Sequence, residues 1–253
     1  MSYNIRYDNP KDGPNQWSQR KENLAQQILF YEPDFIGIQE ALLSQLQFLD
    51  TSLEDYEYIG VARDDGKEKG EFSAVFYRKD KFERLTSNTF WLSETPQRPS
   101  KSWDAALPRI CTYGNFKDEK GRAFWIFNTH FDHRGKEARR RSAQVIIEKI
   151  KELNTNQETT FLLGDFNALP EAPPIVEIKK FLQDSYSLKA IKKYGPKGTF
   201  NGFQADKVLE DRIDYIFLRA PDFKVKKYAA LGGFINGRYL SDHQAIYLEG
   251  NWK

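Results

Sequence analysis

The chain has 253 residues, is 40% hydrophobic and 15% aromatic, and carries 38 basic against 36 acidic side chains for a net charge of +2. That length supports one layered domain over 1–253, and the near-neutral balance gives no global reason to bind nucleic acid, although a local basic patch stays open. The single cysteine, Cys111, excludes an internal disulfide and a cysteine-based zinc site, three histidines disfavour a multi-histidine metal centre, and no apolar run approaches the ~18 residues of a membrane span.

Residues 2–7 alternate as a strand and carry Asn4. Because the chain opens inside an element, we expect a trimmed start; a removed leader would be invisible, and localisation is not read. Residues 8–17 are rich in Pro, Gly, Asn and Asp and form a loop. Ser18 is placed to cap a helix running to about Tyr31, with Leu24, Ala25, Ile28 and Leu29 on one face. Residues 34–40 are a short apolar strand ending on Gln39 and Glu40. Leucines at 42, 43, 46, 49 and 53 mark a second helix.

The period then changes. Residues 56–62, 72–78 and 82–92 alternate as strands, with a charged loop at 63–70. Residues 93–108 form a long loop containing Trp103, and a loop of that length in a compact domain is usually functional. Residues 109–117 and 122–129 read as a hairpin. A helix over 136–153 carries Ala143, Ile146, Ile147, Ile150 and Leu153 on its inner face. Residues 159–163 form a buried strand that stops at Gly164, followed by Asp165-Phe166-Asn167. A loop and short helix (171–183), an irregular polar stretch (189–210) and strands at 212–219, 223–231 and 244–248 complete the chain. Many strands with three or four amphipathic helices point to two sheets with helices outside, an α+β layered domain.

Several strands share one grammar, with polar side chains at or near their ends: Asn4, Glu40, His130 with Asp132 and His133, Asp165 with Asn167, Asp214, and Asp242 with His243. Each has a plain explanation. Gly-Asp-x-Asn is turn chemistry, Asn4 an outward strand residue, Glu40 a helix N-terminal acid, His130 a satisfied core histidine. Asp214 resists this, because a carboxylate between Ile213 and Tyr215 in a buried strand needs a partner, and a histidine is the natural one. Together the set has what metal-assisted phosphate ester hydrolysis requires: carboxylates and an amide for a hard cation such as Mg²⁺, a carboxylate for water, and a histidine for the phosphate. No Walker loop and no G-x-S-x-G elbow is present.

In family order, the segments Tyr3-Asn4-Ile5-Arg6, Ile38-Gln39-Glu40, Asn128-Thr129-His130, Gly164-Asp165-Phe166-Asn167, Arg212-Ile213-Asp214-Tyr215 and Ser241-Asp242-His243 resemble those of the endonuclease/exonuclease/phosphatase superfamily, of the deoxyribonuclease I kind. The resemblance implies a four-layered α/β/β/α sandwich with the site at one end of two mixed sheets. It also implies roles. Glu40 is the main ligand of Mg²⁺ (or Mn²⁺), with Asn4 and Asp242 on the metal side. Asp165 positions or activates water, Asn167 steadies phosphate or metal, and His130 contacts phosphate. Asp214 orients the catalytic His243. Asp132, His133 and Arg139 are similar to features of deadenylase-like and nocturnin-like branches.

Substrate determinants fall in the loops. Arg109 is expected to add positive charge to the phosphate pocket, and Asp132 and Trp103 to touch substrate. Trp91, Trp103, Phe200 and Phe203 are suited either to stack on a base or to pack the loops onto the body. Lys136, Arg139, Arg140 and Arg141 could steer a phosphorylated ligand or form a solvated helix face. The expected partner is a phosphorylated small molecule or a nucleic acid, with no protein partner implied. Without a basic stripe, long duplex DNA is not favoured over a small phosphodiester or phosphomonoester. Two alternatives stand beside a phosphoesterase: a nuclease on RNA or DNA, and a non-catalytic phosphate-binding module on the same fold.

Overall fold

A computed structural model describes residues 1–253. Its elements in chain order are β1 (Ser2–Asn4), α1 (Lys21–Tyr31), β2 (Phe35–Gln39), α2 (Leu43–Ser52), β3 (Tyr56–Ile59), β4 (Val75–Arg78), β5 (Phe82–Trp91), β6 (Ile110–Asp118), β7 (Ala123–His130), α3 (Lys136–Leu153), β8 (Thr159–Asp165), α4 (Pro173–Lys179), β9 (Gln183–Asp184), β10 (Lys192–Tyr194), β11 (Asp214–Arg219), β12 (Phe223–Leu231), the small hairpin β13 (Phe234–Ile235) and β14 (Arg238–Tyr239), and β15 (Ala245–Trp252).

Two mixed sheets result. One has the order β10-β12-β15-β1-β2-β4-β3, the other β5-β6-β7-β8-β11-β9. Three apolar clusters separate four layers. One lies between the first sheet and α1 and α2, around Leu24, Ile28, Leu46 and Leu49. A second lies between the other sheet and α3 and α4, around Ile146, Ile150, Ile175 and Phe217. The third joins the sheets through Val75, Phe116, Ile126, Leu163 and Ile246. The four-layered sandwich expected from the resemblance is the observed architecture.

The layers interlock through short residues and one polar bridge. A Cβ on Gly37 would come 1.8 Å from Leu163 Cδ1 of the facing sheet, so only glycine lets the sheets approach there. Asn128 donates to the carbonyls of Ile38 and Ala74 at 2.9 and 2.8 Å and accepts from Gln39 at 2.7 Å. Its amide crosses from one sheet to the other fully buried, where an unmatched group would cost about 1–3 kcal/mol. Asn128 therefore stitches the sheets beneath the site.

Some boundaries differ from expectation, each for a visible reason. The first helix begins at Lys21 and not after Ser18, because Arg20 turns inward and donates to the carbonyls of Ile5, Leu240 and Arg6. The strand expected from Arg212 begins at Asp214, because Arg212 turns to Asp184 at 2.6 Å. The polar stretch 189–210 contains the edge strand β10, which runs parallel to β12.

Candidate active site at one end of the sandwich

Topology gathers the polar ends. Parallel pairs β1–β2 and β7–β8 finish at the same edge of the sandwich, while β11 and β15, antiparallel to their neighbours, begin there. Register then aligns individual residues: His130 lies opposite Asp165, and Asp165 opposite Asp214. Gly164 makes this possible. Its φ is +148°, and a Cβ there would stand 2.0 Å from the Thr129 carbonyl oxygen. Three residues lining the cleft, Arg6, Glu40 and Asn167, hold positive φ without being glycine. Non-glycine residues in that region are strained and cluster at functional sites.

The resulting cleft encloses about 650 Å³. Its floor is a carboxylate cluster. Asn4 Nδ2 donates to Glu40 Oε1 and Asp165 Oδ2, both at 3.0 Å, while its oxygen accepts from the Arg6 N–H. Asn4 thus holds two carboxylates apart and offers its carbonyl to the backbone. Glu40 Oε2 also accepts from the Tyr7 N–H at 3.2 Å. Burial, then Asp214, pushes the Asp165 carboxyl up to about 7. Burial also raises Asp242, with Glu40 adding to the effect. Both shifts come first from burial, with a neighbouring carboxylate adding to each.

A second arm runs through His243. Its Nδ1 lies 2.9 Å from Asp214 Oδ2, and its Nε2 lies 3.8 Å from Asp165 Oδ2. Thr199 donates its hydroxyl to the same Asp214 oxygen at 2.6 Å. Burial opposes charge on the imidazole, but Asp214 and Asp165 outweigh it and hold its pKa well above the ordinary value. His243 is therefore an imidazolium near neutral pH, with Nε2 facing the cleft. His130 is the opposite case. Burial, then Arg109 and Arg63, drives its pKa well below normal, so it is neutral. Asn167 Nδ2 donates to His130 Nε2 at 3.1 Å and to the Phe131 carbonyl at 3.0 Å, which leaves the Asn167 oxygen free.

The expected set separates into groups. Asn4, Glu40, His130, Asp165, Asn167, Asp214, Asp242 and His243 come to one end of the fold. Arg109 also reaches the cleft wall. Asp132 does not face it: the residue is 1% exposed, and four backbone N–H groups (Ala106, Leu107, Arg134 and Gly135) use its oxygens. These bonds hold the carboxyl down to about 2 against the effect of burial. Asp132 ties the 93–108 loop to the start of α3. Trp103 is half-buried in that loop and lies outside the cleft lining. Trp91 is buried and donates to the Arg63 carbonyl, so it packs the loops; Phe200 lines the cleft, edge-on to His243. Arg140 and Arg141 are paired with Glu137 on the helix surface.

Sequence reasoning did not pick out Arg6, Arg63, Glu71 and Thr199. Arg63 and Glu71 flank the charged loop and pair at 2.6 Å on the cleft wall. The available signal was a charge at each end of that loop.

Glu40, His130 and Asp165 place one ligand atom each within 4.8 Å of one another. With two carboxylates and one neutral imidazole, this set fits a hard divalent ion. A family model described as the endonuclease/exonuclease/phosphatase family matches residues 1–243. The chain belongs to that family. Within it, the chain is 43% identical to a mannosyl-6-phosphatase from Bacteroides thetaiotaomicron VPI-5482, at a TM-score of 0.93 with 99% of this chain and 98% of that one covered. An endonuclease/exonuclease/phosphatase from Bacteroides vulgatus superposes at a TM-score of 0.93 with 40% identity, covering 100% and 97%. A probable RNA exonuclease of Saccharomyces cerevisiae is 26% identical over 185 residues, covering 68% of this chain. The chain spans 36% of that relative, and 59% of an uncharacterized mimivirus protein that it also matches. Family members thus include phosphatases and nucleases, both of which act on phosphate esters.

Proposed function

We propose that the protein is a Mg²⁺- or Mn²⁺-dependent phosphoesterase that hydrolyses a phosphomonoester of a small polar molecule, a phosphorylated sugar first among them. The observation that carries this reading is the meeting of Asp165 and the Asp214–His243 pair over a shared acidic floor. The full-length likeness to a mannosyl-6-phosphatase supports the substrate class.

A divalent ion held at Glu40, with Asp242 nearby, would supply positive charge to the phosphoryl oxygens. The chain's own groups do the rest. Asp165, with its pKa near neutrality, takes a proton from the attacking water. His243 donates from Nε2 to a phosphoryl oxygen as charge develops there, and Asp214 keeps it charged and aimed. Asn167 fixes His130 by donating to its Nε2. As the water oxygen bonds to phosphorus the P–O bond to the sugar breaks, and the proton taken by Asp165 passes through solvent to the leaving alkoxide, so no covalent intermediate is required.

The test is turnover of mannose 6-phosphate, a nitrophenyl phosphate, single-stranded RNA and duplex DNA by the purified protein, with and without chelator. Asp165→Ala and His243→Ala should each abolish hydrolysis with circular dichroism unchanged. Activity that survives both changes, or that ignores chelator, refutes the reading. Cleavage of RNA or DNA alone would make it a nuclease. Tight ligand binding with no product from any substrate would make it a binding module.

A further inference from the structure

Two charge groups line the cleft, each with one opposite charge. Glu40, Asp165 and Asp242 come with Arg6, which lies 3.9 Å from Glu40 and from Asp242, and Arg63, Arg109 and His133 come with Glu71. His130 lies between Asp165 and Glu71, with Nε2 3.4 Å from Asp165 Oδ2 and Nδ1 3.8 Å from Glu71 Oε2. A hard cation accounts for the first group but leaves the second unexplained.

Two buried guanidiniums are costly unless each has a hydrogen-bonded anion. Arg63 has one, donating from Nη1 to Glu71 at 2.6 Å. Arg109 has none. It is 5% exposed, its nearest carboxylate oxygens are Asp132 Oδ2 at 3.7 Å and Glu71 Oε2 at 3.9 Å, and its Nε and Nη1 have no hydrogen-bond partner. Asp132 cannot turn to it, because backbone N–H groups already use both its oxygens.

The one bond Arg109 does make carries information. Its Nη2 lies 3.2 Å from His133 Nδ1. A guanidinium has no acceptor, so His133 Nδ1 accepts and the ring proton sits on Nε2. The exposed His133 ring, which lines the cleft, is thereby held as an N–H donor. Behind it stands the Arg109 guanidinium, which no carboxylate hydrogen-bonds.

We propose that Arg63 and His133, with Arg109 behind them, form a seat for the terminal oxygens of a phosphomonoester dianion, and that this seat selects monoesters over diesters. The inference rests on the hydrolytic reading of the acidic end. A monoester has three terminal oxygens, enough for the acidic end, His243 and the seat together. A diester has two, and turns an uncharged ester oxygen and its carbon toward guanidiniums already stripped of water. Arg109 is a positioning residue here, acting through the His133 tautomer.

The test compares p-nitrophenyl phosphate with bis(p-nitrophenyl) phosphate in saturating Mg²⁺, for the unaltered protein, His133→Ala and Arg63→Lys. The unaltered protein should favour the monoester in kcat/KM. His133→Ala should lose about 10- to 100-fold on the monoester, the scale of one charged hydrogen bond, and much less on the diester. Arg63→Lys keeps the charge beside Glu71, and hence the fold, but loses the planar fork, so the ratio should fall there too. A native preference for the diester, or variants that depress both substrates by one factor, overturns the seat. Titration of inorganic phosphate with Mg²⁺ present reads the seat without turnover: His133→Ala should weaken it at least tenfold, and unchanged affinity overturns the inference. Phosphate binding that depends on His133 in a protein that hydrolyses neither ester refutes the hydrolytic reading while keeping the seat.

Discussion

Asp214→Asn isolates charge from shape at His243. The native carboxylate accepts from Thr199 Oγ at 2.6 Å and from His243 Nδ1 at 2.9 Å through the same oxygen, while its other oxygen is buried without a partner. An asparagine oxygen can keep both bonds, so the ring stays aimed and only the charge is lost. A unit charge pair about 4 Å apart at an effective dielectric of 20 is worth about 4 kcal/mol. At 1.36 kcal/mol per pKa unit, the imidazolium loses about 3 units of support. Burial, the opposing effect on His243, then prevails and the ring is neutral at pH 7. A neutral His243 keeps its proton on Nδ1, donated to the amide oxygen that Asp214→Asn introduces, and no longer donates from Nε2 to the phosphate. The assay is kcat against pH with p-nitrophenyl phosphate. The alkaline limb should move about 3 units toward acid, and kcat at pH 7 should fall more than tenfold. An unmoved alkaline limb with a loss under tenfold would show that the charge on His243 is irrelevant, and would refute the reasoning.

The remaining predictions concern metal, fold and strain. Asp165 is raised to about 7, mainly by burial and then by Asp214. The metal-free folded protein therefore holds a proton there that the unfolded chain, ionising near 4, has released. Stability of the metal-free protein should fall as pH rises from about 4 to about 7, and Mg²⁺ affinity, read by calorimetry, should weaken up to about tenfold per unit as pH drops below 7. Glu40→Gln should abolish Mg²⁺-dependent stabilisation in a thermal melt and raise the metal-free melting temperature, since it removes a charge from a crowded acidic floor; an unchanged Mg²⁺ response sinks the assignment of Glu40 to metal. Asp184→Asn strands the buried Arg212, whose two nitrogens bond Asp184 at 3.1 and 2.6 Å, and should cost about 3–5 kcal/mol in denaturant unfolding. Gly164→Ala forces a Cβ onto the Thr129 carbonyl, so both melting temperature and activity should fall, and a fully active, equally stable variant would contradict the close approach of β7 and β8.

The elements, and the chemistry each could carry, were legible in the amino-acid order. Period-two runs, the leucine stripe of α2 and the inner face of α3 mark strands and helices, because alternation and a 3.6-residue repeat are local consequences of backbone geometry. Asp214 announced a partner through the cost of burying a charge, and the structure gives it His243 at 2.9 Å. Tertiary structure alone decided what depends on register and on distant surroundings. Asp132 carries the same carboxylate as Asp165, yet four backbone N–H groups claim one and a cleft receives the other. Arg63 and Glu71 read as ordinary loop charges until the fold lays them against His130 and Arg109. The physical reason is that a side chain's identity fixes what it can donate or accept, whereas burial, neighbouring charge and the partner across the sheet fix whether it does.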